Sequence, residues 1–171
     1  MLEILNILGP FLEDNYRSIS VREYARLVKI SPPTASKLLK ELTKEEYLQQ
    51  RVERKHLFFT LNIENEVAID LCRLYWKQKL HKLSQEFQAK LTGATGILFG
   101  SLAKAEAKSD SDIDLAIFTS ENKAIDLKPF EKSLGRKISL YWFKSFSDVK
   151  NEHLRNNILN GVILFGKLKL P

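Results

Sequence analysis

Apolar residues recur at intervals of three and four over the start of the chain, a pattern typical of helices that bury one face. The first helix predicted in this way has on its apolar side Leu2, Ile4, Leu5, Leu8, Phe11 and Leu12. Ser20, with Glu23 three residues later, predicts the start of a second helix. Ser31 followed by Pro32 predicts the start of a third, after the short turn VKIS.

The apolar pattern then changes to one typical of strands. Leu48, Val52, Leu57, Phe59 and Leu61 predict a hairpin around the basic tip Glu53-Arg54-Lys55-His56. Two closely spaced helices followed by such a wing resemble the winged helix-turn-helix of small prokaryotic transcription regulators. Residues 1–62 are therefore identified as a winged helix-turn-helix domain, and this resemblance implies double-stranded DNA as a partner.

The placement of polar and basic residues in this domain also fits DNA contact. The candidate DNA-binding residues on the third helix and in the wing are Thr34, Ser36, Lys37, Lys40, Lys44, Arg51, Arg54 and Lys55. Lysine and arginine suit phosphates, while the polar residues near the helix start suit base edges. Because Glu41, Glu45 and Glu46 are interleaved, a solvated helix face and a protein-binding surface stay open as alternatives.

A linker at residues 63–92 follows, and its pattern predicts one long helix over 64–91. Its apolar face, which Tyr75 and Trp76 broaden, consists of Val67, Leu71, Leu74, Leu80, Leu83, Phe87 and Leu91. This face can pack on the chain's own domains or on a second copy. Since winged-helix regulators usually bind two half-sites as dimers, we expect a homodimer.

Residues 93–171 alternate short apolar strands with helical segments and contain two nearby carboxylates. GILFG predicts a strand over 96–99, SLAKAEA predicts a helix directly after Gly100-Ser101, and DIDLAIF predicts a strand over 112–118. Asp112 and Asp114 would then point to the same face. Two like charges at a half-buried strand end repel each other, and a Mg²⁺ ion would relieve this repulsion.

Gly100 and Ser101 add the features of a phosphate site. Glycine permits close backbone approach, and Ser101 with the N–H groups of the predicted helix start can bind phosphate oxygens. We therefore expect a site for Mg²⁺ and a nucleoside triphosphate. Gly100-Ser101, ten residues and then Asp112-Ile113-Asp114 resemble the Gly-Ser…Asp-x-Asp signature of the DNA polymerase beta-like nucleotidyltransferases, above all their minimal group.

The resemblance extends to the end of the chain and implies roles for the site residues. LGRKISLYWF (134–143) resembles the third strand of that group, and HLRNNILNGVILFG (153–166) resembles its closing helix and strand. By this resemblance Asp112 and Asp114 are the catalytic, Mg²⁺-binding carboxylates. Gly100 and Ser101 hold the β- and γ-phosphates, and Lys104 adds a positive charge near them.

The chain departs from the family pattern where a third carboxylate is expected. Its third strand has Lys137-Ile138-Ser139-Leu140, so Ser139 occupies the acidic position. A neutral hydroxyl neither holds a metal strongly nor takes a proton at neutral pH. The first loop also has Leu102 and Ala105 where the family often has arginine and glycine.

Three functions follow from these patterns within an overall α+β fold. The first is a DNA-binding transcription regulator whose nucleotidyltransferase-like domain binds Mg-nucleotide with weak or absent catalysis. The second is an active nucleotidyltransferase that modifies a small molecule or a protein, as antitoxins similar to the minimal group modify a toxin partner. The third is a module in which both domains only contact proteins.

The composition of the chain limits which partners, cellular compartment and metal sites are expected. The 171 residues carry a net charge of +6, which fits an anionic partner. Cys72 is the only cysteine, so no internal disulfide forms and a reducing cytoplasm is expected. No apolar run approaches a membrane span, and the N-terminus has no basic leader typical of a signal peptide. The scattered His56, His81 and His153 lack the spacing of zinc ligands.

Overall fold

The computed structural model describes residues 2–121 and 123–168, and it has the predicted α+β architecture. The chain divides into two compact units. The first runs to Tyr75 and also includes Ala105–Ser109, while the second contains Trp76–Lys104 and the residues from Asp110 onwards. Among the described helices, none is both long and apolar enough to cross a membrane.

The first unit begins with the three predicted helices and the predicted hairpin. Its elements are α1 (Leu2–Glu13), β1 (Ile19–Ser20), α2 (Val21–Val28), α3 (Pro32–Lys44), β2 (Leu48–Glu53) and β3 (His56–Leu61). Both predicted caps are present, because Ser20 Oγ accepts a hydrogen bond from the Glu23 amide at 3.3 Å and Ser31 Oγ accepts one from the Thr34 amide at 3.3 Å. Pro32 is the first residue of α3, as predicted.

A three-stranded antiparallel sheet completes this unit, with strand order β1-β3-β2. The two-residue strand β1 was not predicted, since its only sheet partner is Phe58-Phe59 of β3, about forty residues further along the chain. The core beneath the sheet and the helices is apolar, and its fully buried side chains include Leu8, Phe11, Leu12, Tyr24, Leu39 and Phe59.

The segment predicted as one long helix is two helices, α4 (Glu66–Lys79) and α5 (His81–Lys90). The prediction of a continuous helix is wrong at Leu80, whose ψ of 3° is far from the helical value. The predicted buried face is also wrong in α4, where Val67 and Leu74 are exposed. Tyr75 and Trp76, which were expected to broaden that face, are buried together with Ala68 and Cys72, so the buried face lies about one residue further round the helix.

The second unit contains a four-stranded mixed sheet. After α5, its elements are β4 (Thr95–Phe99), β5 (Ile113–Phe118), α6 (Lys128–Leu134), β6 (Ile138–Phe143), a 3-10 turn (Phe146–Asp148), α7 (Glu152–Leu159) and β7 (Val162–Phe165). The strand order is β6-β5-β4-β7, and only β5 and β6 are parallel. One face of the sheet packs against α7 and the 3-10 turn, through Ile97, Phe99, Ala116, Phe118, Phe146, Val149 and Ile158.

The helix predicted directly after Ser101 is absent, because residues 101–105 form turns instead. The Lys104 amide donates to the Ser101 carbonyl at 3.3 Å, and Ala105 has a left-handed φ of 56°. Ala105–Ser109 belongs to the first unit, where Asn15 and Ala107 exchange two hydrogen bonds of 2.8 Å. These tertiary contacts override the helix propensity of the alanines.

Candidate functional site

The carboxylate pair lies at the start of the central strand β5. Asp112 directly precedes β5 and Asp114 is its second residue, with Ile113 buried between them. In the sheet register Asp114 is opposite Phe99 on β4 and opposite Ser139 on β6. The Ser139 hydroxyl donates to Asp112 Oδ2 over a long 3.4 Å, so Ser139 is linked to Asp112 by its side chain and to Asp114 by the sheet register.

The environment of Asp114 opposes its negative charge. Partial burial raises the pKa of the Asp114 carboxyl, and the neighbouring Asp112 charge raises it further. The ionised pair is therefore less favourable in the folded chain than two separate carboxylates in water. A cation bound between Asp112 and Asp114 would favour their ionised forms, because a nearby opposite charge lowers the pKa of a carboxyl group.

Gly100 lies so close to Asp114 that a side chain at position 100 would displace the Asp114 carboxylate. It has a left-handed φ of 74°, and a Cβ atom at this position would lie 2.6 Å from Asp114 Oδ2. The left-handed conformation therefore favours glycine, and glycine also leaves the Asp114 carboxylate in place. The backbone that follows β4 is in this way held directly against the carboxylate.

Ser101 and Lys104 lie in the turns that follow Gly100, rather than at a helix start. Ser101 is half-buried, and the Lys104 ammonium is exposed and donates to Asn157 Oδ1 on α7 at 2.7 Å. Without a helix at this point, the amide groups of a helix start, which were expected to bind phosphate oxygens, do not form. The positive charge of Lys104 and the turn backbone are what this loop offers to a phosphate.

Arg136 supports the segment that leads to Asp112. Its guanidinium is almost buried, donates from Nη1 to the Ser111 carbonyl at 2.5 Å, and lies 5.0 Å from the centroid of the Trp76 ring. A second bond, from the Ile113 amide to the Lys137 carbonyl at 2.8 Å, fixes the same segment. Sequence reasoning missed Arg136 and Asn157, because only the folded sheet and α7 bring them to this loop.

The candidate DNA surface in the first unit has its lysines on one side of α3. Lys37, Lys40 and Lys44 are exposed at helical spacing, and Lys37 makes a long ion pair of 3.9 Å with Glu41. Ser36 is half-buried. The Thr34 hydroxyl forms a hydrogen bond of 2.7 Å with Ser31 Oγ, so the Thr34 side chain takes part in capping the start of α3.

The wing brings together its three predicted basic residues. Arg54 and Lys55 form the two-residue turn between β2 and β3, both exposed and both with left-handed φ values of 48° and 66°. Arg51 on β2 is exposed and pairs with Glu53 at 3.4 Å. Arg22, which sequence reasoning did not single out, lines a groove of about 490 Å³ beside Pro32 at the start of α3, together with Lys55 and His56 of the wing.

Family comparison assigns both regions. A model described as polymerase beta, nucleotidyltransferase matches residues 78–169, more than half of the chain. The chain belongs to this nucleotidyltransferase family. A second model, described as winged helix-turn-helix DNA-binding, matches residues 10–49, so the predicted fusion of the two domain types is confirmed. No curated protein matches the chain.

The metal-ligating side chains of the candidate site suit a metal ion that is shared with a bound ligand. Within residues 2–121 and 123–168, no cluster of three or more histidine, cysteine, aspartate or glutamate side chains could hold a metal ion. Mg²⁺ is commonly bound by one or two carboxylates together with substrate phosphates and water. Asp112 and Asp114 supply the carboxylates, so triphosphate oxygens would have to complete the coordination.

Proposed function

We propose that this chain is a DNA-binding transcription regulator whose nucleotidyltransferase domain binds a Mg²⁺–nucleoside triphosphate and has weak or no transferase activity. The observation that carries the proposal is Ser139, which is in register with Asp114 and donates to Asp112. A base for the attacking hydroxyl is expected there. Ser139 places instead a hydroxyl that acts as a hydrogen-bond donor.

The residues of the site have separate roles in nucleotide binding. Asp112 and Asp114 hold Mg²⁺, which when bound neutralises charge on the triphosphate. The close approach of Gly100 to Asp114 brings the turn backbone and Ser101 toward the phosphates. Lys104, oriented by Asn157, adds a positive charge at the same loop.

The loss of one carboxylate affects catalysis more than binding. Proton removal from an attacking hydroxyl needs a group that is basic near neutral pH, and serine is not such a group. Removal of a group that acts in the transition state lowers the rate by orders of magnitude, while uniform binding can persist. Ser139 is therefore compatible with a domain that senses a nucleotide and transfers it slowly or not at all.

The same proposal assigns duplex DNA to the winged helix. Lys37, Lys40 and Lys44 contact phosphates from one side of α3, and the wing adds Arg51, Arg54 and Lys55. The exposure of these residues and the matched winged helix-turn-helix domain support this assignment. Ser36 and Thr34 near the start of α3 are the residues closest in type to those that read base edges.

An active nucleotidyltransferase is the second candidate. Both metal-binding carboxylates and the close approach of Gly100 to Asp114 are retained, which favours a working metal and phosphate site. Such an enzyme would transfer a nucleotidyl group to a small molecule or to a protein. An antitoxin-like enzyme would modify a toxin partner.

A label-transfer assay separates the two candidates. The chain is incubated with labelled ATP, CTP, GTP or UTP and Mg²⁺, with and without candidate acceptors. We expect a nucleotide-dependent rise in melting temperature with little transfer, and a gain of transfer in Ser139→Asp. Transfer by the unmodified chain that disappears in Asp112→Ala would establish the active enzyme. No thermal shift with any nucleotide would remove nucleotide binding from the proposal.

A further inference from the structure

An aromatic side chain lies beside the carboxylate pair and has no role in the functions described so far. Tyr141 is two residues after Ser139 on β6, so the two side chains point to the same face of the sheet. In register, Tyr141 is opposite Ala116, and Ser139 is opposite Asp114. Tyr141 therefore belongs to the next cross-strand row, directly beside the row that contains Asp114.

The small size of Ala116 lets the Tyr141 ring extend across the central strand. Its centroid lies 5.2 Å from that of Phe99 on β4, in an edge-to-face arrangement. Since β4 and β6 flank β5 on opposite sides, these two rings meet over β5. Phe99 is itself the register partner of Asp114, which places the ring contact next to the carboxylate.

Tyr141 is fixed in position but not covered. Tyr141 is 38% exposed as a residue, although its ring contacts the buried ring of Phe99. The adjacent Trp142 points to the other face, where its ring lies 6.2 Å from that of Phe87 on α5. A large aromatic ring that packs against another ring and stays partly exposed is suited to stack with a planar ligand.

We propose that Tyr141 is the platform on which the base of a bound nucleotide stacks. The inference rests on the proposed nucleotide site. Asp112, Asp114 and Gly100 would contact the metal and the phosphates, and Tyr141 would contact the base. A ring offers every base the same kind of surface, so this contact favours nucleotides over free triphosphate without selecting one base. The purines, with the larger rings, bind more tightly than the pyrimidines.

The test compares Mg-ATP with Mg-tripolyphosphate, which has the phosphates but no base. Affinities are measured by calorimetry for the unmodified chain, Tyr141→Ala, Tyr141→Phe and Trp142→Ala. We expect Tyr141→Ala to weaken Mg-ATP binding about 10-fold, the effect of losing one stacked base. Its tripolyphosphate affinity stays unchanged, which also shows that the site is folded. Tyr141→Phe and the opposite-face control Trp142→Ala bind both ligands normally.

The outcomes distinguish this inference from the proposed function. If Tyr141→Ala binds Mg-ATP as tightly as the unmodified chain does, the platform is overturned and nucleotide binding stands. If Tyr141→Ala loses both ligands equally, Tyr141 has a structural role and the platform is again overturned. If the unmodified chain binds neither Mg-ATP nor Mg-tripolyphosphate, the nucleotide site and the platform are overturned together.

Discussion

At the scale of single residues, the tip of the wing has an unfavourable backbone. Arg54 and Lys55 both have left-handed φ values, where tight hairpins usually have Asn-Gly or Asp-Gly. Each such residue with a side chain costs about 1 kcal/mol or more relative to glycine or asparagine. The two positive charges at a strained tip are accounted for if they contact DNA.

We predict that Arg54→Asn combined with Lys55→Gly stabilises the chain and weakens DNA binding. The free energy of unfolding in urea should rise by about 1–2 kcal/mol, because the new residues suit the turn. Binding to duplex DNA, followed by fluorescence anisotropy, should weaken, and its log–log salt slope should fall by about two, one for each lost phosphate contact.

A matched control removes two charges elsewhere. Lys82→Asn with Lys132→Asn changes two exposed lysines of the second unit and should leave DNA affinity nearly unchanged. If the wing variant binds DNA as well as this control does, the wing tip has no part in the DNA surface.

Asp114 gives a prediction about pH. Burial and the Asp112 charge raise its pKa in the folded state above the ordinary 3.8, so ionised Asp114 is less favourable in the folded chain than in the unfolded chain. The stability associated with that proton is fully present below pH 3.8 and is lost as pH rises through the raised pKa. At pH 7, without metal, Asp114→Asn should therefore melt at a higher temperature than the unmodified chain does.

The pH and metal dependence of this difference can be checked by thermal melts. The advantage of Asp114→Asn should disappear in acid, and Mg²⁺ should raise the melting temperature of the unmodified chain more than that of the variant. Asp110→Asn, at an exposed position of the same loop, is the control and should differ little from the unmodified chain. Greater stability of the unmodified chain at pH 7 would contradict the prediction.

At the scale of elements, the features set by neighbouring residues were predicted well. The caps at Ser20 and Ser31 each use an amide three residues away, and the Gly-Ser…Asp-x-Asp spacing lies within one short segment. The starts of α2 and α3 and the position of the carboxylates could therefore be inferred from the sequence alone.

Features that depend on distant partners were missed or predicted wrongly. The alanines after Ser101 favour a helix, yet Ala105 is left-handed and Ala107 bonds to Asn15, 92 positions away. Lys104 likewise bonds to Asn157, 53 positions away. Helix propensity amounts to tenths of a kcal/mol per residue, so a few buried tertiary hydrogen bonds outweigh it.

The Asn15 contact is the basis of a stability prediction. Asn15 is only 2% exposed, and its amide accepts from the Ala107 N–H and donates to the Phe11 carbonyl and to Cys72 Sγ. Asn15→Ala leaves these buried groups without partners. We expect it to lower the free energy of unfolding by about 2–3 kcal/mol.

Denaturation in urea measures the loss of stability in Asn15→Ala, and the reactivity of the Cys72 thiol gives a second readout. Burial raises the pKa of Cys72 to about 12, so the thiol should react slowly with disulfide reagents in the unmodified chain. Asn15→Ala should speed this reaction by opening the first unit more often. Asn6→Ala, at an exposed position of α1, the helix that precedes Asn15, should change neither quantity by much. Equal effects of both variants would show that the Asn15 contact contributes little.

At the scale of the whole molecule, a DNA-binding role raises the question of whether the chain acts as a dimer. Winged-helix regulators commonly bind two half-sites as symmetric dimers. Two apolar residues of the predicted face of α4 are exposed, Val67 at 56% and Leu74 at 36%. With the exposed Ile63 before the helix, they form an apolar stripe. We infer that a second copy of the chain covers this stripe, since a dimer would bury apolar surface and link two DNA-binding domains.

Val67→Glu combined with Leu74→Glu tests the dimer. Two carboxylates in a dry interface are costly, so the variant should sediment as a monomer at concentrations where the unmodified chain is a dimer. Its affinity for duplex DNA should fall at least about 10-fold, because the two domains no longer bind as a linked pair. Leu159→Glu, an exposed leucine on α7, is the control and should retain the dimer. If the unmodified chain sediments as a monomer, the stripe is not a dimer interface, and DNA binding proceeds through single copies.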